Sequence, residues 1–325
     1  MSKNSAEDLS FNVLDERFTD PVAAAIYLES IRWPDGNPTC PHCGNHERKH
    51  YLLNVKGTKR RVWKCAACRK QFTVMVGTIF EDSHIPLNKW LLAFYLLCSS
   101  KKGMSAHQLH RMLGVTYKSA WFMAHRIRYA MEQPPFARLL TGTVEVDETY
   151  VGGKVRRANK VQSRPLDPRQ PDKRKQTGRG ADKVPVVALV ERGGEVRSVR
   201  MANVTADELG GAIRRHVARE AHLRTDSYPA YKKVGSDYAS HEFVNHAMEY
   251  VRGDAHTNTA ENFFSILKRG INGIYHHVSE AHLPRYLAEF DFRYNTRSAN
   301  GYSDADRTKV ALSMVEGKRL MYQQG

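Results

Sequence analysis

Cys40-Pro-His-Cys43 and Cys65-Ala-Ala-Cys68 constrain this chain more than any other feature. Each pair can place two thiolates on one tetrahedral Zn²⁺, and four thiolates close the shell. A closed shell is a structural site, with no position open for chemistry. The stretch between the pairs is rich in β-formers and basic residues, so a small zinc ribbon is expected over residues 37–80. Two redox dithiols are the competing reading of the same spacing. His42, His46 and His50 could replace a cysteine, but four cysteines need no substitute. Cys98 lies in an apolar run and reads as a buried thiol.

CxxC pairs bind metal where thiols stay reduced. The opening residues, MSKNSAEDLSF, lack a signal-peptide pattern. The longest apolar run, Trp90 to Cys98, falls far short of the roughly 20 residues a membrane span needs. A cytoplasmic protein is expected. Fifty Lys plus Arg against 34 Asp plus Glu give a net charge of +16 over 325 residues. Such a balance favours polyanions, of which nucleic acid is the commonest. Anionic membrane is the alternative, but no basic amphipathic helix stands out.

Residues 1–36 read as an N-terminal helical segment, with a helix over 18–33 that Thr19 or Asp20 can cap and Pro21 can begin. Residues 81–133 read as an all-helical DNA-binding domain. Ser105 can cap one helix, Gly114-Val115 supplies a tight turn, and Thr116 can cap a second from Tyr117 to Met131. Helix, short glycine turn, helix is the helix-turn-helix pattern, whose second helix suits the major groove. That helix carries Lys118, Arg126 and Arg128 as candidate DNA contacts. A purely structural helical hairpin is the bland alternative. Trp121 and Phe122 read as core.

Pro134-Pro135 breaks the chain, and the pattern then changes to strands. Thr143 to Tyr150 alternates, with Val144 and Val146 on one side and Glu145 and Asp147 on the other. Strands are predicted over Val184–Val190, Glu195–Val204, His222–Asp226 and His241–Val244, the first two joined at Gly193-Gly194. Helices are predicted over Asp207–Ala221, Thr259–Lys268 and Glu280–Tyr294. Mixed elements with an initial hairpin favour an α/β domain of RNase H-like type over residues 140–300. A basic insert at 154–183, eleven basic residues against three acidic, reads as a loop that holds DNA, and 301–325 as a C-terminal tail.

Three acids in this domain fit phosphodiester chemistry. Asp147 lies on a strand, Asp226 at a strand end, and Glu261 near a helix start, 35 positions after Asp226. Carboxylates converging from separate elements hold the two Mg²⁺ or Mn²⁺ ions that activate the attacking oxygen and stabilise the leaving one. Lys268, seven positions beyond Glu261, falls on the same helical face and could hold a phosphate. Glu145 and Glu148 compete with Asp147 for the first role, and Asn258 with Glu261.

The string His256-Thr-Asn-Thr-Ala-Glu261-Asn-Phe-Phe-Ser-Ile-Leu-Lys268-Arg-Gly270 resembles a family of bacterial insertion-sequence transposases. Tyr275-His-His-Val-Ser279 and Phe290-Asp-Phe-Arg-Tyr-Asn295 extend the likeness, and Val146-Asp-Glu-Thr-Tyr-Val-Gly-Gly-Lys154 looks like the family's first catalytic strand. Thr225-Asp-Ser-Tyr228 resembles its second, and Arg32-Trp-Pro-Asp-Gly36 also matches. The resemblance implies a zinc ribbon, a helix-turn-helix and an RNase H-like DDE domain. It implies Asp147, Asp226 and Glu261 as the metal-binding triad, with Lys268 as basic companion. The expected activity is cleavage of DNA at transposon ends and joining of the 3′-hydroxyls to target DNA, by a homo-oligomer at the nucleoid. A DNA-binding regulator with an inactive catalytic domain, and a nuclease that does not join, remain the rivals.

Overall fold

The computed structural model describes residues 16–54, 60–132, 138–152, 183–244 and 256–320. The chain divides into two compact units, residues 1–133 with 295–325, and residues 134–294. The basic insert at 154–183 lies, except for Lys183, outside the described residues. No helix among the described residues is long and apolar enough to cross a membrane.

The first unit opens with α1 (Glu16–Thr19) and α2 (Pro21–Arg32). Asp20, not Thr19, caps α2, accepting from the Ala23 amide at 3.1 Å, and Pro21 fills the first position, where a missing N–H costs nothing. Three short antiparallel strands follow, β1 (Tyr51–Leu53), β2 (Val62–Lys64) and β3 (Gln71–Phe72). Glu29 of α2 ties this small sheet down. It accepts from Arg61 Nη2 at 2.8 Å and from Trp63 Nε1 at 3.0 Å.

The helical stretch expected over 86–131 is three helices, α3 (Leu87–Ser99), α4 (Ala106–Leu113) and α5 (Tyr117–Ala130). Trp90, Leu91, Ala93, Phe94, Leu97 and Cys98 are all buried, which makes α3 the centre of this unit. Ser105 caps α4 through the Gln108 amide at 3.2 Å, and Thr116 caps α5 through the Ser119 amide at 3.1 Å. Gly114 ends α4 at φ 59°, the left-handed conformation glycine adopts without Cβ strain. The residues read as a tail contain a helix, Asp304–Ser313, that packs on α3. Its buried Arg307 donates to the carbonyls of Cys98 at 2.8 Å and Thr296 at 3.0 Å.

The second unit is built on a five-stranded sheet. Its strands are β4 (Thr143–Val151), β5 (Val184–Glu191), β6 (Val196–Arg200), β7 (His222–Asp226) and β8 (Ser240–Val244). They lie in the order β6-β5-β4-β7-β8, with β4, β5 and β6 antiparallel and β7 and β8 parallel to β4. Strand β6 stops at Arg200, before the expected Val204. Its partner there has reached Pro185, which has no N–H and only accepts, from the Met201 amide at 2.9 Å.

Helices cover both faces of the sheet. On one, α6 (Ala206–His216) and α7 (Ala230–Gly235) bury Leu209, Ile213, Tyr231 and Val234 against Val144, Val146, Leu189 and Leu223. On the other, α8 (Asn258–Gly270) and α9 (Leu283–Asn295) bury Phe263, Leu267 and Leu287 against Val186, Ala188 and Val196. Helix α6 ends five residues short of the expected Ala221, because Val217 turns extended and pairs with Leu140 in a parallel bridge, held by hydrogen bonds from Leu140 N to His216 O and from Ala218 N to Leu140 O. Helix α9 begins at Leu283, so that Pro284 falls in the first turn, where proline is tolerated.

Candidate functional site

Two clusters of potential metal ligands occur among the described residues, one in each unit. The first is Cys40, Cys43, Cys65 and Cys68, whose sulfurs all lie within 4.8 Å of one another. The two knuckles are built alike. Each folds back through a hydrogen bond from the residue after its second cysteine, Gly44 N to Cys40 O at 2.8 Å and Arg69 N to Cys65 O at 3.2 Å. Both turns need a left-handed residue, Gly44 at φ 72° and Arg69 at φ 62°. The amides of Ala67 and Cys68 donate to Cys65 Sγ at 3.3 and 3.4 Å.

Cys40 Sγ lies 3.7 Å from Cys68 Sγ, and Cys43 Sγ 3.7 Å from Cys65 Sγ. Tetrahedral zinc with ~2.3 Å bonds sets its sulfurs about 3.8 Å apart, so this geometry fits the ion. Burial pushes the Cys40 thiol up to about 12. Burial also acts on Cys65, but the amide hydrogen bonds outweigh it and bring that thiol down to about 6, the pattern of a thiolate ready for a cation. His50 is not a ligand. Its Nδ1 accepts from the Ala66 amide at 3.2 Å, which leaves Nε2–H to donate to the Asn45 carbonyl at 3.0 Å and so bridges the knuckles. His42 is engaged with the Gln71 carbonyl at 3.1 Å.

The second cluster sits at the end of β4. The parallel register sets Val144 beside Leu223 and Val146 beside Thr225. Side chains alternate along a strand, so Asp147 and Asp226 come next, side by side and on the α8 face. Carboxylate oxygens of Asp147, Glu148 and Asp226 lie within 4.8 Å of one another. The sequence reading named Glu148 only as a competitor of Asp147, yet it joins Asp147 rather than replacing it. Glu261 lies exposed in the first turn of α8, near enough to act on the charge of Asp147 but outside that tight cluster. Lys268 is exposed two turns further along α8. Asn258 is the first residue of that helix and is exposed.

The electrostatics follow from this crowding. Burial raises the Asp147 carboxyl first, then the charges of Glu148, Asp226 and Glu261 add to it, and together they lift it from 3.8 to about 7. The Glu148 amide opposes the shift by donating to Asp147 Oδ1 at 2.8 Å. Asp226 is fixed by the turn that follows it, accepting from the Tyr228 amide at 2.9 Å. A carboxylate crowded by others, as Asp147 is, is relieved by a divalent cation, so the donor set fits hard, oxygen-seeking ions.

Glu145, the other competitor, has a different task. It is 0% exposed and sits two residues before Asp147 on the same strand face. Its carboxylate accepts from the Thr259 amide at 2.8 Å, the Thr259 hydroxyl at 2.9 Å and the Ala260 amide at 3.1 Å. Arg192 Nε balances its charge at 2.7 Å. Thr257, at the N-cap of α8, makes no side-chain cap of its own. A strand residue therefore satisfies the orphan amides of the helix and pins its start beside Asp147. Replacing Glu145 by Ala leaves Arg192 without its buried partner and those amides bare. The expected loss is about 3–5 kcal/mol of unfolding free energy in urea, and a loss below about 1 kcal/mol would contradict this clamp. Nothing local in the sequence marks Arg192 or Tyr231 as parts of this region, since both reach it through long-range pairing.

Of the three candidate DNA contacts, only Lys118 is exposed. Arg126 and Arg128 are 6% and 2% exposed, so the expectation that they reach DNA is corrected. Arg126 Nη1 donates to the carbonyls of Ile79 at 2.6 Å and Glu81 at 3.0 Å, and its Nε to that of Leu320 at 3.1 Å. Residues 123–128 of α5 are buried without a break, so the helix is enclosed on every side there and the Arg126 charge is spent on carbonyls.

Comparison with known proteins agrees with both sites. The ISXO2-like transposase domain family matches residues 139–295, and the transposase zinc-ribbon domain family matches residues 20–71. An uncharacterized protein in transposable element ISH50 of Halobacterium salinarum is 31% identical over 287 residues, spanning 85% of this chain and 91% of that one. The solved Mos1 strand transfer complex aligns at 12% identity over 63% of this chain and 76% of its own, with a TM-score of 0.22 that is too low to bear on the fold. The family match covers the whole carboxylate site, the ribbon match reaches both cysteine pairs, and the relative aligns over 85% of the chain: the chain belongs to the family of ISXO2-like transposases with an N-terminal transposase zinc ribbon.

Proposed function

We propose that this transposase cuts DNA at transposon ends and joins the freed 3′-hydroxyls to target DNA at the site formed by Asp147, Asp226 and Glu261. The observation that carries the reading is the pair Asp147 and Asp226, side by side on β4 and β7 inside the matched transposase domain. The strand order, with three antiparallel strands followed by two parallel to the first, supports an RNase H-like fold. When bound, two Mg²⁺ or Mn²⁺ ions supply charge neutralisation and a nucleophile at neutral pH. Asp147, Asp226 and Glu261 hold them, and Lys268 holds a nearby phosphate. Water attacks the scissile phosphorus and the 3′-oxygen leaves as a hydroxyl. That hydroxyl then attacks a target phosphodiester, one P–O bond forming as another breaks. Joining of pre-cut ends, labelled on the 3′-strand, tests the proposal. Release of ends without any joined product would identify a hydrolytic nuclease instead.

In the first unit, α4 and α5 serve as a helix-turn-helix that binds the ends. Its exposed residues include Gln108 and Arg111 of α4 with Tyr117 and Lys118 of α5. Two substitutions separate its binding from its support. Lys118→Ala should weaken end binding and lower the salt slope by about one, with stability held within about 0.5 kcal/mol. Arg126→Ala should cost about 3 kcal/mol of stability, since three carbonyls lose a charged donor. Urea unfolding beside salt-dependent DNA titration checks both, and the reverse ranking would retire the assignment.

A further inference from the structure

We propose that Glu148, steered by the hydroxyl of Tyr231, is a divalent-cation ligand of this site alongside Asp147 and Asp226. The inference rests on reading the second unit as metal-dependent. Consecutive residues on a strand point to opposite faces, so the carboxylates of Asp147 and Glu148 would ordinarily diverge. They converge here because β7 ends at Asp226, while its pairing with β4 runs out at Val146 and Thr225. Among the described residues, no neighbouring strand separates the two faces beyond that point on this side of β4. Glutamate, one methylene longer than aspartate, can reach around the end.

Tyr231 makes that reach specific. It stands in the first turn of α7 and is 1% exposed, packed among the core residues beneath the sheet. Its hydroxyl donates to Glu148 Oε2 at 2.7 Å. The chain leading to it is also fixed, since the amide of Tyr228 donates to Asp226 Oδ1 at 2.9 Å and the hydroxyl of Tyr228 to the Val204 carbonyl at 3.0 Å. The same short segment thus ends in Asp226 on one side and positions Glu148 on the other. Three ligand oxygens within 4.8 Å of one another are close to what one ion spans, since oxygens trans across Mg²⁺ stand about 4.2 Å apart. The sheet then offers three carboxylates before α8 contributes Glu261, which lies exposed outside the cluster. Tyr231 touches no cation and acts as a positioning residue.

The test is Mn²⁺ binding to the full-length, zinc-loaded protein without DNA, with free Mn²⁺ read by electron paramagnetic resonance. Glu148→Gln keeps an acceptor for the Tyr231 hydroxyl, so the core stays filled while the charge is lost. It should weaken Mn²⁺ affinity by about 10–100-fold, and Tyr231→Phe by roughly 10-fold. The double variant should bind no more weakly than Glu148→Gln alone, because Tyr231 acts only through Glu148. Asp226→Asn is the reference arm. If it weakens binding while Glu148→Gln stays within about twofold of the parent, the role of Glu148 is overturned and the metal site stands. If Tyr231→Phe alone matches the parent, the steering by Tyr231 is overturned. If Asp226→Asn also binds as the parent does, the metal-dependent reading itself fails.

Discussion

Removing zinc from the four-thiolate site, by chelation or by Cys65→Ser, should unfold the ribbon and abolish end binding. The reason is the size of what remains. The ribbon has strands of three, three and two residues, and among its described residues as far as Phe72 only Pro38, Cys40, His50, Cys65 and Phe72 are buried. A core so small does not offset the entropy of ordering the chain. Structural zinc supplies roughly 10–16 kcal/mol of apparent binding free energy in comparable small modules, which is folding free energy when no site exists in the unfolded chain. The purified protein should carry one zinc per chain, and Co²⁺ in its place should show thiolate charge-transfer bands. The loss should also reach α2, because Glu29 is held by Arg61 and Trp63 of the ribbon. Less than about half an equivalent of zinc, with all four thiols free to react, would refute the assignment.

What could be read from the sequence was what short-range chemistry decides. The cysteine spacing predicts a cluster that closes in space. The caps Asp20, Ser105 and Thr116 act on amides only three residues away, and each is found in place. Alternation in Thr143–Tyr150 predicts Glu145 and Asp147 on one face, and strand β4 places them so. What escaped depended on partners far along the chain. Glu145, Asp147 and Glu148 are all acids on one strand, and their three fates are set by α8, β7 and α7 respectively. Arg126 and Arg128 read as DNA contacts by charge alone, until carbonyls some 45 positions earlier and some 190 later claim the first of them. The residues beyond 301 look polar and tail-like, but Arg307 reaches Cys98 across 209 positions and seats a helix there. Spacing along one element predicts its own face; it says nothing about which element covers that face.

The largest expected effect falls on catalysis. Asp147→Asn and Asp226→Asn should each lower strand cleavage by at least about a hundred- to a thousand-fold, the scale seen when one preorganised electrostatic group is removed from an active site. Both keep the shape of the side chain and remove its charge, so DNA binding in EDTA should survive. The pH dependence separates a metal role from a merely structural one. Asp147 holds its proton up to about pH 7 in the folded chain, against 3.8 ordinarily. An acid raised in this way binds more protons folded than unfolded through the window from 3.8 to about 7. The empty site is therefore most stable below that window and loses stability as pH rises through it. A divalent cation needs the carboxylate, so its uptake releases a proton below about pH 7. Affinity for Mn²⁺ should climb as pH rises from about 6 to 8, and the second unit should regain stability when the ion is added at pH 8. Asp147→Asn removes the titrating group, so it should raise stability in the metal-free protein at pH 8 and flatten the pH dependence of what Mn²⁺ binding remains. Cleavage within about tenfold of the parent in either variant would defeat the site, because a metal centre that lost one of its carboxylate ligands would not hold its ions in working position.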